Sequence, residues 1–279
     1  MERLFKTLIV LLLCCSKAVA QEGVVLSSDT TRKVVKPVVA FSYLKPKGPK
    51  AIVHEMSGGF RLNTDGWSVC MDRGHVKTPD LKHADMFHNL LFWELEFSEK
   101  NNPKEEKVTS AMPNPMGGSR TYKYGKINNF YALKLGLGYQ KMLAGKPDPG
   151  CVSIHWVTTG GFALGLLKPY YINVYGDPQA IKFTDQTQSD FLPNIKNQAS
   201  LIEGSAGFSK GLDEMVYVPG GFLKTGLHFD FSANKKTIIS VETGASIEYY
   251  SQAIQIMANQ PATAGFYNLF IALQVGKRW

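Results

Sequence analysis

The sequence has little of what marks several common protein classes. Its 279 residues include only 4 cysteines, of which Cys14 and Cys15 lie in the first 20 residues, so no disulfide framework is expected. Charged residues make up 19% of the chain, below the roughly 25% typical of globular proteins. No run of about 18 apolar residues occurs, which excludes a helical membrane span. The net charge of +8 comes without a basic motif, so no nucleic-acid partner is expected.

The first twenty residues have the features of a secretory signal. The basic residues Arg3 and Lys6 precede a short apolar stretch at 7–15. The tripeptide Ala-Val-Ala at 18–20 then fits the small-x-small rule for cleavage. We therefore predict that residues 1–20 are a signal peptide and that the mature protein is exported.

From residue 50 onward, apolar and polar residues alternate with a period of two, as in strands with two different faces. In the last segment Leu269, Ile271 and Leu273 share one face, and Ala272 and Gln274 lie on the other. Eight segments show this alternation, namely 51–63, 66–76, 85–99, 127–142, 151–167, 216–232, 236–250 and 264–279.

The less apolar face of these segments carries small residues. Gly136, Gly138, Gly161, Ala163 and Gly165 lie there, where a soluble β-sandwich would carry Lys, Glu and Thr. Small residues suit the crowded interior of a narrow barrel, whose bulky face then points to lipid. The predicted fold class is all-β, an antiparallel up-and-down transmembrane β-barrel with eight strands. A secreted sandwich is the alternative.

The lengths of the connections support this topology. An even number of strands places both chain ends in the periplasm and the odd-numbered connections outside the cell. The third and fifth connections, 100–126 and 168–215, are long, as outer loops are, although the first is a tight turn. A hairpin hidden in the fifth, at 170–176 and 201–208, would raise the strand number to ten. A short helix within 199–212 is a further expectation for this loop.

The domain organisation follows from these boundaries. The lysine- and arginine-rich residues 21–50 are predicted to form a periplasmic N-terminal arm, and residues 51–279 the barrel domain in the cell outer membrane.

Charged residues recur on the predicted inner face. Eight-stranded interiors are normally filled by side chains, and buried charges must pair. We favour a salt-bridge network that fills the lumen over the lining of a selective pore. The predicted network comprises Glu55, Arg61, Asp72, Glu94, Glu96, Lys134, Lys224, Asp230, Glu242, Glu248 and Arg278.

A family resemblance rests on five short runs. The Ala-Val-Ala-Gln cleavage site and the C-terminal Gly-Lys-Arg-Trp run, 276–279, resemble those of Bacteroidetes outer-membrane β-barrel proteins. The runs at 124–131 and 164–169 and the hairpin at 58–74 are similar to those of a poorly characterised family of such barrels. The resemblance implies location and architecture, but no activity.

The resemblance also implies partners. In such families the terminal aromatic residue, here Trp279, is the assembly signal that the barrel assembly machinery recognises. The positive charge suits outer-membrane lipid including lipopolysaccharide. Another envelope protein is a further candidate partner.

No catalytic motif accompanies the predicted barrel. His155, His228 and Asp230 combine residue types of hydrolases, but no serine motif goes with them, and the two histidines point inward. No His or Cys spacing fits a metal site, and we expect no cofactor. We predict a non-enzymatic outer-membrane barrel with a structural or partner-binding role through loops 100–126 and 168–215. The alternatives are a small-solute pore and, less favoured, a lipid-modifying enzyme.

Overall fold

The computed structural model divides the chain into two units, Met1–Gly48 and Pro49–Trp279, and its described residues all belong to the second. The predicted signal peptide and N-terminal arm lie outside the described residues. No helix in the described part of the chain is long and apolar enough to cross a membrane. The structure describes residues 52–76, 89–110, 120–146, 151–174, 181–182, 202–234, 236–258 and 260–279.

Strands dominate these residues. In chain order they are β1 (His54–Asn63), β2 (Gly66–Val76), β3 (Leu90–Lys100), β4 (Lys107–Thr109), β5 (Thr121–Lys123), β6 (Asn128–Ala144), β7 (Ser153–Pro169), β8 (Tyr171–Val174), β9 (Ile181–Lys182), β10 (Ile202–Ser205), β11 (Val216–Asp230), β12 (Thr237–Ile254) and β13 (Thr263–Arg278).

The eight long strands form a closed antiparallel barrel, which confirms the predicted fold class and strand number. Their order around the barrel is β1-β13-β12-β11-β7-β6-β3-β2, so sequential neighbours pair throughout. Closure comes from the first and last strands, whose register runs from Glu55 opposite Arg278 to Asn63 opposite Phe270. A closed barrel leaves no strand edge without hydrogen-bond partners.

Burial alternates along the strands as the period-two pattern predicts. In β13, Leu269, Ile271 and Leu273 are 64%, 50% and 65% exposed, whereas Ala272 and Gln274 are almost fully buried. The barrel therefore carries most of its large apolar side chains outside and most of its charged side chains inside, the reverse of a soluble protein.

The fifth connection does contain extra strands, but they do not join the barrel. β8 pairs with β10 and with β9 in a separate three-stranded sheet, so the ten-stranded alternative is wrong. These strands have two to four residues, too few for the 9–11 that a membrane-crossing strand needs. The helix expected within 199–212 is also wrong for 202–212, which form β10 and turns.

The long connections fold together at one end of the barrel. Backbone hydrogen bonds join Ile127 to Ile256 at 2.9 Å and Tyr170 to Ile127 at 2.8 Å. The buried side chains of Tyr122, Ile127, Tyr170, Ile172 and Ile202 form a small apolar core between them. We call the described residues 101–127, 170–174, 202–215 and 255–262 the loop cap.

Paired glycines allow close packing inside the barrel. Gly161 lies opposite Gly136 on the neighbouring strand, and Gly226 lies opposite Gly244. A Cβ atom on Gly161 would lie 2.2 Å from the backbone oxygen of Leu135 and 2.6 Å from the Cα of Gly136. The missing side chains thus bring these strands together where the interior is crowded.

The substitution Gly161→Ala should destabilise the barrel, because the backbone of β6 must shift to admit the methyl group. We expect a loss of about 1–3 kcal/mol in the free energy of unfolding, as for other overpacked sites. Urea unfolding of the protein refolded into phospholipid vesicles measures it. Gly207→Ala is the control, since a Cβ there meets no atom within 4 Å. Equal midpoints for both variants would contradict the packing role.

Candidate functional site

Each charged residue predicted for the lumen is buried, with at most 8% of its surface exposed. Because the barrel strands alternate in burial, these side chains point into the interior. The structure brings most of them together in two groups, one in the middle of the barrel and one at the end where β1 begins and β13 ends. Asp72 joins the middle group through Gln274, which donates to Asp72 at 3.1 Å and to Glu242 at 3.2 Å.

The middle group begins with ion pairs that cross the lumen. Arg61 on β1 pairs with Glu96 on β3. The Lys134 Nζ atom on β6 lies 2.9 Å from Glu96 and 2.5 Å from Glu248 on β12. β6 and β12 are not neighbours in the sheet, so this pair ties opposite walls of the barrel together.

Lys224 extends the middle group from a third direction. It lies on β11, pairs with Glu94 on β3, and has Glu242 3.7 Å from its Nζ atom. Glu242 also lies 3.8 Å from Arg61, so the two parts of the group share partners. The ring of Phe270 covers both cations, with its centroid 4.7 Å from the Arg61 guanidinium carbon and 5.7 Å from Lys224 Nζ. This arrangement satisfies cations that would be costly if unpaired.

The second group lies where β1 begins and β13 ends. The Arg278 guanidinium donates to Glu55 at 2.6 Å and to Asp230 at 2.8 Å. Asp230 also accepts a hydrogen bond from Lys146 Nζ at 3.1 Å and from the backbone N–H of Ser232 at 2.8 Å. These contacts join β1, β11 and β13 to the turn after β6.

Apolar layers close the lumen at both ends of the ion pairs. Toward the loop cap, Phe130 and Tyr250 pack edge to face, with ring centroids 5.2 Å apart, against Met257. Toward the other end, Leu90 and Phe92 pack in a smaller cluster. A cavity lined by Leu90, Phe92 and Glu242 has a volume of about 10 Å³, close to the least that holds one water molecule. Side chains therefore fill this part of the lumen.

The three residues that suggested hydrolase chemistry, His155, His228 and Asp230, have different partners in the structure. His155 and His228 have ring centroids 5.8 Å apart, and His228 Nδ1 lies 3.9 Å from Glu242. Asp230 instead binds Arg278 and Lys146. Both histidines are at most 3% exposed in the interior of the barrel.

Sequence analysis missed Lys100 as a member of the network. It is 1% exposed and lies 2.8 Å from Asp65 and 3.0 Å from Glu248. Its position continues the inward alternation of β3, but the predicted segment ended at residue 99. The signal was present, since Lys100 follows Ser98 with the same period.

A third group of charged residues, separate from the two groups in the lumen, lies in the loop cap, outside the barrel strands. Glu105 accepts hydrogen bonds from Lys126 at 2.8 Å and pairs with Lys123 at 2.5 Å. Burial raises the pKa of Glu105, but these two lysines outweigh it and hold the pKa below its ordinary value. Burial lowers the pKa of Lys126 to about 8, against the opposing effect of Glu105. Sequence reasoning treated this segment only as a loop.

Cys70 and Cys151, the two cysteines outside the predicted signal peptide, are free thiols. Cys70 is buried beside Arg61, 3.9 Å from its Nη2 atom, whereas Cys151 is partly exposed at the other end of the barrel.

Removing one carboxylate from the middle group should be costly. The substitution Glu96→Gln leaves Arg61 and Lys134 short of a counter-charge in the lumen, and we expect about 3–5 kcal/mol less free energy of unfolding. The matched control is Glu203→Gln, which breaks an exposed pair with Arg120 and should change stability little. Urea unfolding in vesicles compares them, and a Glu96→Gln protein as stable as the control would show that the network contributes little.

Acid should loosen the loop cap around Glu105. Since its folded pKa lies below its unfolded value, Glu105 adds stability above pH 4.5 that is lost as the pH falls further. Hydrogen exchange at the Ile127 amide, corrected for the intrinsic rate, should show protection falling in acid while amides of β6 stay protected. Glu105→Gln should lower the protection at neutral pH and flatten its pH dependence. An unchanged pH profile in this variant would contradict the assignment.

Comparisons with known proteins return barrels of the same strand number but little similarity. No protein-family model matches the sequence, and no curated protein matches it. The N-terminal β-barrel domain of Pseudomonas aeruginosa OprF is 9% identical, covers 81% of this chain and 96% of its own, and has a TM-score of 0.34. Neisserial surface protein A is 7% identical, with coverages of 82% and 96% and a TM-score of 0.35.

The attachment invasion locus protein Ail of Yersinia pestis is 8% identical, covers 82% of this chain and 99% of its own, and has a TM-score of 0.36. Values this low do not extend a neighbour's role to this chain. The Bacteroidetes assignment finds no support among these comparisons.

Proposed function

We propose that this protein is an outer-membrane β-barrel that holds its loop cap outside the cell for a structural or partner-binding role. The observation that carries the proposal is the inverted polarity of the barrel. Phe162, Leu269 and Trp93 are 82%, 64% and 57% exposed, while the charged residues are buried. Such a continuous apolar exterior is unstable in water and matches the hydrocarbon core of a bilayer.

Aromatic residues support the same membrane placement. Tyr249 and Tyr267 lie on the outer face near the loop cap and are 67% and 76% exposed. Tyr139 and Trp279 lie on the outer face toward the other end. Two such girdles at the ends of an apolar belt are typical of transmembrane barrels, where these side chains sit at headgroup level.

The filled lumen favours an anchoring role over transport. The cavity beside Leu90, Phe92 and Glu242 has room for about one water molecule, and ion pairs cross the middle of the lumen. The loop cap has its own apolar core and hydrogen bonds, so it presents a formed surface. We expect this surface to bind another envelope protein or lipopolysaccharide, and Trp279 to serve as the assembly signal.

The proposal predicts a heat-modifiable, surface-exposed protein. On a denaturing gel the unboiled outer-membrane fraction should give a faster band than the boiled sample. Replacing 170–214 by a short turn should preserve that shift but abolish capture of the partner or the surface phenotype. Retention of every partner and phenotype after the replacement would contradict a role for this loop.

Two further measurements separate the alternatives. A small-solute pore would conduct in planar bilayers, with a conductance altered by Glu242→Gln or Lys134→Met, whereas we expect silent bilayers. A lipid-modifying enzyme would change the lipid A mass spectrum of cells that express it, whereas we expect no difference.

A further inference from the structure

A pocket of about 250 Å³ lies on the outer face of the barrel, beneath the loop cap. Its floor comes from the ends of β6 and β7, where Asn129 lies opposite Lys168 in the register. Lys168 shares the face of the exposed Leu164, and Asn129 shares the face of Tyr131, so these side chains leave the barrel on its outer side. Phe208 and Ser205 close the pocket from the cap.

Lys168 is unusual among the charged residues of this protein. It is 4% exposed, and among the described residues no carboxylate pairs with it. Its ammonium group lies 4.7 Å from the ring centroid of Phe208, which packs edge to face on Tyr131 at 6.1 Å. An aromatic ring only partly replaces a counter-ion, so an anion bound in the cavity would further stabilise this buried ammonium group.

The remaining groups in the pocket strengthen the positive potential. Lys107 lines its mouth and is exposed, with no carboxylate partner among the described residues. Lys123 also lines it, although Glu105 binds its Nζ atom. The carboxylate of Glu99 also lines the pocket, keeps its negative charge, and accepts a hydrogen bond from the Trp67 indole at 2.8 Å. With three lysines against this one carboxylate, the pocket lining remains net positive, and Lys168 and Lys107 have no carboxylate partner of their own in the part of the chain that the structure describes.

The position of the pocket favours an anion that belongs to a lipid headgroup. Tyr131 stacks on Phe97 with ring centroids 5.9 Å apart, and Phe97 meets Trp67 at 6.3 Å in an aromatic row on the outer face. The pocket therefore opens at the boundary of the apolar belt, where the headgroups of outer-leaflet lipids would lie.

We propose that this pocket binds the phosphate of a phosphorylated glycolipid headgroup, with Lys168 and Lys107 as its cationic ligands. Phosphate oxygens accept charge-assisted hydrogen bonds from lysine ammonium groups. The lipid's acyl chains would then continue along the apolar belt of β6 and β7. This inference rests on the proposed membrane location and deepens the proposed lipid partner by assigning it a site.

Native mass spectrometry of the folded protein in detergent micelles tests the assignment, with bis-phosphorylated lipid A as the probe. We expect one tightly retained lipid per barrel, bound about tenfold more weakly by Lys168→Met and by Lys107→Met. Lys168→Arg should restore binding. Lys104→Met is the matched control, because Lys104 is exposed in the cap but contacts Gln260 on another side.

Two comparisons sharpen the result. Dephosphorylated lipid A should bind no better to the wild type than to Lys168→Met if phosphate is the recognised group. Inorganic phosphate at millimolar concentration should displace little of the lipid, and full displacement would assign the pocket to a soluble anion and overturn the proposal.

The outcomes also distinguish this inference from the proposed function. A heat-modifiable protein whose lipid binding is equal in wild type, Lys168→Met and Lys107→Met would overturn the pocket assignment and leave the barrel proposal intact. If Lys168→Met does not fold, the exposed Lys107→Met still decides the question. A protein that does not shift on the gel would overturn both.

Discussion

The pairing of β1 with β13 is the contact on which the rest of the structure depends. Closure gives every long strand two neighbours, so the backbone needs no water, and the outer face is free to carry Leu, Phe and Trp side chains. Closure also creates the enclosed space in which polar residues must find partners among themselves. The buried ion pairs and the apolar exterior are thus two results of one topological fact.

The interior shows how a narrow barrel accommodates many charges. Its lysines and arginines each contact carboxylates from more than one strand, as Arg61 and Lys134 do, so no single pair carries the whole balance. Glycine pairs such as Gly136 and Gly161 bring strands close and leave room for aromatic rings over the cations. Because one carboxylate can serve two buried cations, its loss should lower the free energy of unfolding more than the loss of an exposed ion pair.

The barrel could be predicted because period-two alternation acts locally and repeats in every strand. Small residues such as Gly138 identify the inner face from the sequence alone, without knowledge of which strands pair. Which carboxylate meets Lys134 could not be predicted, since Glu248 lies on a distant strand and only closure brings it near. The loop cap was not predicted because its short strands carry no repeated pattern, and because the bridge between Lys126 and Met257 joins connections that are far apart in sequence.

The ion pairs of Arg278 connect strands that are far apart in sequence, so they can form only late, when β13 joins the sheet. Arg278 comes from the last strand, yet its partners Glu55 and Asp230 come from the first strand and from β11. Until β13 has entered the sheet, Glu55 lacks this counter-charge in a medium of low dielectric, and Asp230 has only Lys146 as its cationic partner among the residues that the structure describes. A chain that stops before β13 therefore leaves Glu55 without its partner, so this ion-pair group is complete only when the last strand has joined the barrel.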